Sequence, residues 1–365
     1  MTKIKEVLNY IEHLAPLSRQ ESYDNSGLQA GDPEAEVSGI LIALDLTEEV
    51  IQDAVEQGAN LIITHHPLIF KPLKNITTHT MPGRCLLKAM RHGIALYAAH
   101  TNLDNVMGGV NSMIGQKLGL HDLQILQPVS GILQKLVVFV PHAHADKVRE
   151  ALFVAGAGQI GLYDSCSYNL EGSGTFRPLP GTRPFTGETG KLHFEPETRI
   201  ETICETRLLS RIVEAMIQAH PYEEVAWDAY PLSNKFTGAG SGMMGRLENP
   251  LPEIDFLTRV KQTFNAGCVK YSPLKNEAVK RVAWCGGSGS FLIPDAIAAK
   301  ADVFITGEIK YHDYFLAEGK IVLIEAGHYE TEQYTSQLLY QIIKEKFTNF
   351  ATRISRICTN PINYL

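Results

Sequence analysis

Histidines and carboxylates at recurring positions are the residues of this sequence that could do chemistry. Two imidazoles stand side by side in "ITHHPLIF", at His65 and His66; His100 and Asp104 lie four apart in "HTNLDN", and His328 and Glu332 four apart in "GHYETE". On a helix that separation puts two side chains one turn apart on one face, so His328 and Glu332 can point at one place. His100 and Asp104 fall in a loop by the surrounding pattern, where spacing says less. His65 and His66 would face opposite ways in a regular strand, but Pro67 forces an extended or turning backbone on His66, and adjacent rings can then reach two neighbouring ions. Imidazole and carboxylate donors without thiolate suit zinc, iron, manganese, nickel or cobalt, with positions left open for water. A single histidine at a strand end is more often a satisfied structural residue. The convergence of four histidines and two carboxylates is what favours a metal.

The elements that must position these residues alternate. An apolar run from Ile40 to Leu46 reads as a strand buried on both faces and ends near Asp45. Thr47 followed by Glu48 and Glu49 gives an N-cap with an acidic first turn, and Val50, Ile51, Ala54 and Val55 repeat at helical spacing until Gly58. A second strand, Leu61 to Ile63, stops at His65 and His66. Leu86, Leu87 and Met90 mark a helix closed by Gly93, and a third strand, Ile94 to Ala99, stops at His100. This βαβαβ order predicts a parallel sheet with right-handed crossovers, and the carboxyl edge of such a sheet is where ligands bind. The plan recurs in "RVAWCGG" (281–287), "ADVFITGE" (301–308) and "KIVLIEAGH" (320–328). "ANLIITHH" aligns with "ADVFITGE", and "HGIALYAAH" with "EGKIVLIEAGH", so the chain reads as a duplicated α/β fold with mixed or parallel sheets.

Between the halves the texture changes. Leu133 to Gly158 reads as strand then helix, and 162–188 is rich in Gly, Pro, Ser and Thr, as a long loop would be. Strand-like pieces from Lys191 to Cys204, a helix near 208–219 and "EEVAWDAYPL" complete a βαββαβ order, that of an inserted ferredoxin-like α+β unit. The expected organisation is a first half over 1–126, the insert over 127–247 and a second half over 248–365.

Composition narrows the function classes. With 365 residues, 44% hydrophobic and 20% charged, the chain can bury sizeable cores, and disorder is not expected. No apolar stretch approaches a membrane span and the start lacks a signal-peptide core, which predicts a soluble protein of the cytoplasm. Six scattered cysteines with no CxxC pair argue against a disulfide framework or a thiolate zinc knuckle. A net charge of −7 without a basic run makes nucleic acid a poor partner.

The same residues carry a resemblance. "ESYDNSGLQAG", "ITHHPLIF", "HTNLDN", "CGGSGS", "ITGEIKYHD" and "AGHYETE" resemble, in order, the motif series of the Nif-three-like family, catalogued as GTP cyclohydrolase I type 2 homologues. That resemblance implies a duplicated α/β fold, a toroidal homohexamer and a two-metal centre in each subunit. It implies His65, His66, Asp104, His328 and Glu332 as metal ligands, with Glu332 bridging two divalent ions, zinc foremost. His100, Glu308 and His312 match motif positions near the centre, either behind the ligands or facing substrate, and are the candidates for moving protons. The long form of the family carries an insert similar to PII or CutA proteins, and "HPYEEVAWDAYPL" (220–232) is similar to the closing strand of that insert. Tyr23 stands where tryptophan is usual, and Glu308 where aspartate is common.

Two neighbouring ions would suit hydrolysis of an amide-like C–N bond or a phosphate ester. In a GTP cyclohydrolase-like reaction water attacks C8 of the purine, and the opened formamide is hydrolysed next. Gly286, Gly287, Ser288 and Gly289 could offer backbone N–H groups to a triphosphate; the alternative is a tight turn that only needs glycine. A small-molecule, nucleotide-like ligand is therefore expected, with a hexameric regulatory or ligand-sensing protein as the other reading.

Overall fold

The computed structural model describes residues 2–365, which divide into two compact units, 2–128 with 238–365, and 129–237. The re-entry point at 238 departs from the expected 248. A strand runs without a break from Phe236 to Pro252, and its Met243–Arg246 stretch pairs antiparallel with Trp284–Arg281, so these residues belong to the sheet of the larger unit. Their Gly-rich sequence, "TGAGSGMMG", hides that strand because glycine carries no period-two signal.

The larger unit holds two sheets built on one plan. In the first, parallel strands Gly39–Ala43, Leu61–Thr64 and Ala95–Ala98 are in register at Ala43, Thr64 and Ala98, with Gly27–Ala30 antiparallel at one edge and Ala351–Ile354 parallel at the other. In the second, parallel strands Ala278–Cys285, Val303–Thr306 and Val322–Glu325 are in register at Cys285, Thr306 and Glu325, and Lys270–Tyr271 adds an antiparallel edge. The central strands are short, mostly apolar and wholly buried because both faces are covered. Ile40, Ile42, Leu61 and Ile63 from one sheet and Val282, Val303 and Ile305 from the other share a single core with Trp284. Each such fully buried aliphatic side chain contributes roughly 1.5–3 kcal/mol.

Local signals set the connections. Thr47 Oγ1 accepts from the Val50 N–H at 3.3 Å and caps the helix Glu48–Glu56, whose Val50, Ile51 and Ala54 pack beneath the first sheet. Thr80 does the same for Met81–Arg91. Both helices return the chain so that each parallel strand ends on the same sheet edge.

The 129–237 unit is a four-stranded antiparallel sheet in the order Ser167–Phe176, His193–Glu205, Leu133–Pro141, Trp227–Leu232, with helices Ala145–Val154 and Leu209–Ala219 on one face. Leu136, Val138, Val140 and Ile200 bury against Val148, Leu152, Ile212 and Met216. No helix among the described residues is long and apolar enough to cross a membrane.

Candidate metal centre

The carboxyl ends of both sheets of the larger unit meet at one cluster. His65 and His66 follow the Leu61–Thr64 strand directly, and their N–H groups both donate to the Leu44 carbonyl, which fixes the turn before Pro67. His100 precedes and Asp104 ends the short helix Thr101–Asp104 that follows Ala95–Ala98, so the expected loop is a helical turn. His328 and Glu332 span the helix His328–Glu332 after Val322–Glu325, one turn apart as their spacing predicts. Asn111 ties the two sheets' loops together, donating to the Asp104 carbonyl at 3.2 Å and accepting from the Gly286 N–H at 3.0 Å.

Two donor groups result, and they share one carboxylate. His65, Asp104 and Glu332 form one; His66, His328 and Glu332 form the other, with the donor atoms of each within 4.8 Å of one another. Glu332 Oε1 lies 3.7 Å from His65 Nε2, which is 3.6 Å from Asp104 Oδ1. Glu332 Oε2 lies 3.0 Å from His66 Nε2 and 3.2 Å from His328 Nε2. His65, His66 and His100 also converge within the same limit.

The opposite nitrogen of every ring is already committed. His65 Nδ1 lies 2.8 Å from the Ala99 carbonyl, His66 Nδ1 2.7 Å from Asp45 Oδ1, His100 Nδ1 2.7 Å from Asp24 Oδ1, and His328 Nδ1 2.9 Å from Glu308 Oε1. An acceptor at Nδ1 fixes the proton there and leaves the Nε2 lone pair facing the cluster, as metal-ligating histidines require. His65 Nε2, His66 Nε2 and Glu332 Oε2 are buried and make no hydrogen bond. Their short separations without bonding geometry are those of atoms aimed at a common point. Each such group costs about 1–3 kcal/mol unless something pairs with it, and a divalent cation pairs with all three.

Electrostatics agree. Burial alone would push the Glu332 carboxyl up, but His65, His328 and His66 outweigh it and hold Glu332 well below the usual carboxylate range. Asp104 goes the other way, because burial raises it more than His65 lowers it. Burial would lower His66, yet Asp45 and Glu332 push it up to about 10, and His328 rises to about 9 against its own burial through Glu332. The site thus holds a concentration of negative charge that protons neutralise in the absence of metal.

Glu308, expected behind the ligands or facing substrate and a candidate for moving protons, accepts from His328 Nδ1 and from Ser288 Oγ at 2.7 Å, which places it against the His328 ring. Two expectations need correction. The loop expected to cradle a triphosphate uses its N–H groups internally. Gly286 donates to Asn111 Oδ1, Gly287 to Thr331 Oγ1 at 3.1 Å and Gly289 to Thr306 Oγ1 at 2.8 Å; Ser288 gives its hydroxyl to Glu308. Glycine is needed there for approach: at Gly287, with φ +61°, a Cβ would lie 2.2 Å from Glu332 Oε1. His312 sits on the exposed helical segment Tyr311–Ala317, against Tyr311 and Phe315, outside the cavity wall. Ile309 and Ala317 anchor that segment in the core and leave His312 on the outer side.

The centre floors a cavity of about 550 Å³ that Tyr23, Phe70 and Phe291 line with exposed aromatic rings. Asn360, Pro361 and Ile362 form part of its wall, and the preceding Thr359 donates to Asp45 Oδ2 at 2.5 Å. Glu330 Oε1 anchors the tail, accepting from Asn360 Nδ2 and the Tyr364 hydroxyl. Asp24, Asp45, Glu330 and Thr359 have no role in the sequence reading. The signal for Asp45 was its place at a strand's end on the ligand-binding edge; the tail carries no periodicity that could have flagged Thr359.

Known proteins share this arrangement of chain. The family model described as Duf34/NIF3 (NGG1p interacting factor 3) matches residues 2–361. A protein of Halalkalibacterium halodurans called GTP cyclohydrolase 1 type 2 homolog is 40% identical over 365 residues, covering 98% of both chains. A Bacillus subtilis protein of the same name is 36% identical, covering 99% of this chain and 98% of its own. The crystal structure of a Bacillus cereus protein related to NIF3 superposes with a TM-score of 0.86 at 37% identity, covering 100% of this chain and 99% of the other.

Proposed function

The chain belongs to the Duf34/NIF3 family, and from that premise we propose that it is a dinuclear metal-dependent hydrolase of a small molecule, a nucleotide or related C–N or phosphate substrate. The observation that carries this reading is the pair of donor groups joined by Glu332, at the floor of an open cavity of substrate size. His65 and Asp104 would hold one divalent ion, His66 and His328 the other, and Glu332 would bridge them. Ions there would supply Lewis acidity and a water acidified towards neutrality.

The chain's own residues do the rest. Asp24 accepts from His100 Nδ1 and from the Thr101 hydroxyl, and these bonds hold its carboxyl below the usual range against the effect of burial. Asp24 therefore stays ionised and keeps the proton at Nδ1, so His100 Nε2 is free to take a proton from water or return one to a leaving group. Tyr23, 6.3 Å from Phe70, and Phe70, 6.2 Å from His100, line a mouth on which a planar base can stack. The homohexamer implied by the motifs belongs to the same proposal, and sedimentation as a monomer would contradict it. We read the 129–237 unit as a ferredoxin-like insert, because its strand order and its two one-sided helices match that fold.

The second reading is a metal-binding regulatory protein, favoured by a separate cavity of about 560 Å³ in the 129–237 unit. Metal analysis beside formate release from GTP, for wild type, Glu332→Ala and His66→Ala, separates the two. Two metals per chain, lost in the variants together with formate release, are expected for the hydrolase. Metal without formate at any loading favours regulation, and unchanged metal in both variants refutes the site.

A further inference from the structure

The cavity of the 129–237 unit opens on the sheet face that the two helices leave bare. Its floor is made by alternate residues of adjacent strands: Phe139 and Leu170 lie across from Arg199, and Gly172 lies across from Glu197. Gly172 and Gly174 interrupt an otherwise ordinary strand on this same face. A Cβ at Gly172 would meet nothing within 4 Å, whereas one at Gly174 would lie 2.2 Å from Glu197 Oε2. Strand glycines of this kind mark a place where another group approaches the backbone. Phe176, Phe185 and Tyr222 enclose the space, with ring centroids 6.0 Å and 6.1 Å from Tyr222.

Two charged groups in this apolar chamber lack full partners. Glu197 is 8% exposed; its Oε1 accepts from the Tyr222 hydroxyl at 2.8 Å, and no cation pairs with it among the described residues. Arg199 bonds Glu201 Oε1 through Nη2 at 2.9 Å and lies over the Phe139 ring, but its Nε is buried and has no acceptor. A carboxylate with no cation beside it and a buried guanidinium N–H without an acceptor are each costly. They stand two residues apart on one face of one strand, about 7 Å from Cα to Cα. A molecule with adjacent ammonium and carboxylate groups spans that interval, giving its ammonium to Glu197 and its carboxylate to Arg199 Nε.

We propose that this unit carries a binding site for an apolar α-amino acid, its zwitterionic head held by Glu197 and Arg199 and its side chain packed among Phe176, Phe185 and Tyr222. The site is built from residues of the 129–237 unit alone and does not depend on the hydrolase reading. An amine alone would leave Arg199 Nε unmatched, and an acid alone would meet Glu197 with like charge.

The test is calorimetric titration of the full-length protein with L-phenylalanine, phenethylamine and 3-phenylpropionate. Saturable binding of L-phenylalanine is expected, with phenethylamine weaker by about tenfold or more, as loss of one charge-assisted contact implies, and phenylpropionate weaker still. Glu197→Gln, which keeps the shape and the Tyr222 bond, should weaken L-phenylalanine by a similar factor. Gly172→Val suits a strand, fills the open space and should abolish binding; an unchanged circular-dichroism melt establishes that the variant is folded. No saturable binding of L-phenylalanine at millimolar concentration overturns the proposal. So does equal affinity for phenethylamine, or an affinity unchanged in Glu197→Gln.

Discussion

Replacing Gly287 with alanine adds one methyl group at the point where the backbone comes nearest the shared carboxylate. The Cβ would lie 2.2 Å from Glu332 Oε1 and 3.2 Å from His328 Nε2, at a residue whose φ of +61° already disfavours a side chain. The left-handed backbone costs about 1–2 kcal/mol, a loss a domain of this size survives. Relief of the contact requires Glu332 to retreat by about 1 Å, a displacement of the size that costs a precisely built site about a hundredfold. Because Glu332 belongs to both donor groups, both ions should be affected, with a fall in metal affinity of about 10–100-fold. Competition titration against a chelator measures it. Gly58→Ala is the control: its φ is +66° and nothing lies within 4 Å of its Cβ, so it reproduces the backbone cost without touching the centre. If Gly287→Ala binds metal as wild type does, or if Gly58→Ala loses as much, the approach of the loop to Glu332 is not what shapes the site.

Single-ligand variants should divide the centre: His328→Ala is expected to retain the ion held by His65 and Asp104, Asp104→Asn the other, and Glu332→Ala neither, as metal content by mass spectrometry will show. Thr359→Val removes the hydroxyl that holds Asp45, the acceptor for His66 Nδ1, and should lower affinity for one ion by about tenfold with no change in melting temperature of the metal-free protein. In the 129–237 unit, burial holds His220 below the usual imidazole range, helped by nearby His144 and opposed by the Phe139 carbonyl. Its folded-state value lies below its unfolded one, so its contribution is complete above the ordinary imidazole range and lost as pH falls through it. Melting of this unit should therefore weaken from neutrality towards pH about 5, and His220→Gln should flatten that dependence.

How much of the centre was legible depended on whether its logic was local. The positions of His65, His66 and His100 followed from short apolar strands that must be buried on both faces, and therefore must deliver their next residues to one edge. The i,i+4 spacing of His328 and Glu332 needed only a helical turn. What escaped were relations between residues far apart in sequence. Nothing near Glu308 says that His328, twenty residues on, will take its carboxylate, or that Asn111 and Thr331 will claim the N–H groups of Gly286 and Gly287. A Gly-rich loop between strand and helix has the same composition whether its amides face a phosphate or are bonded within the fold; the third dimension decides. The division of rings between the two donor groups has the same origin. Alternation would have sent His65 and His66 to opposite faces, but the Leu44 carbonyl accepts from both N–H groups and turns the chain, so one ring meets Asp104 and the other His328. Glu332 lies between them and belongs to both groups. The sharing of Glu332 between the two donor groups thus depends on that common backbone acceptor, and a variant that breaks the turn should separate the two groups even with every one of their residues in place.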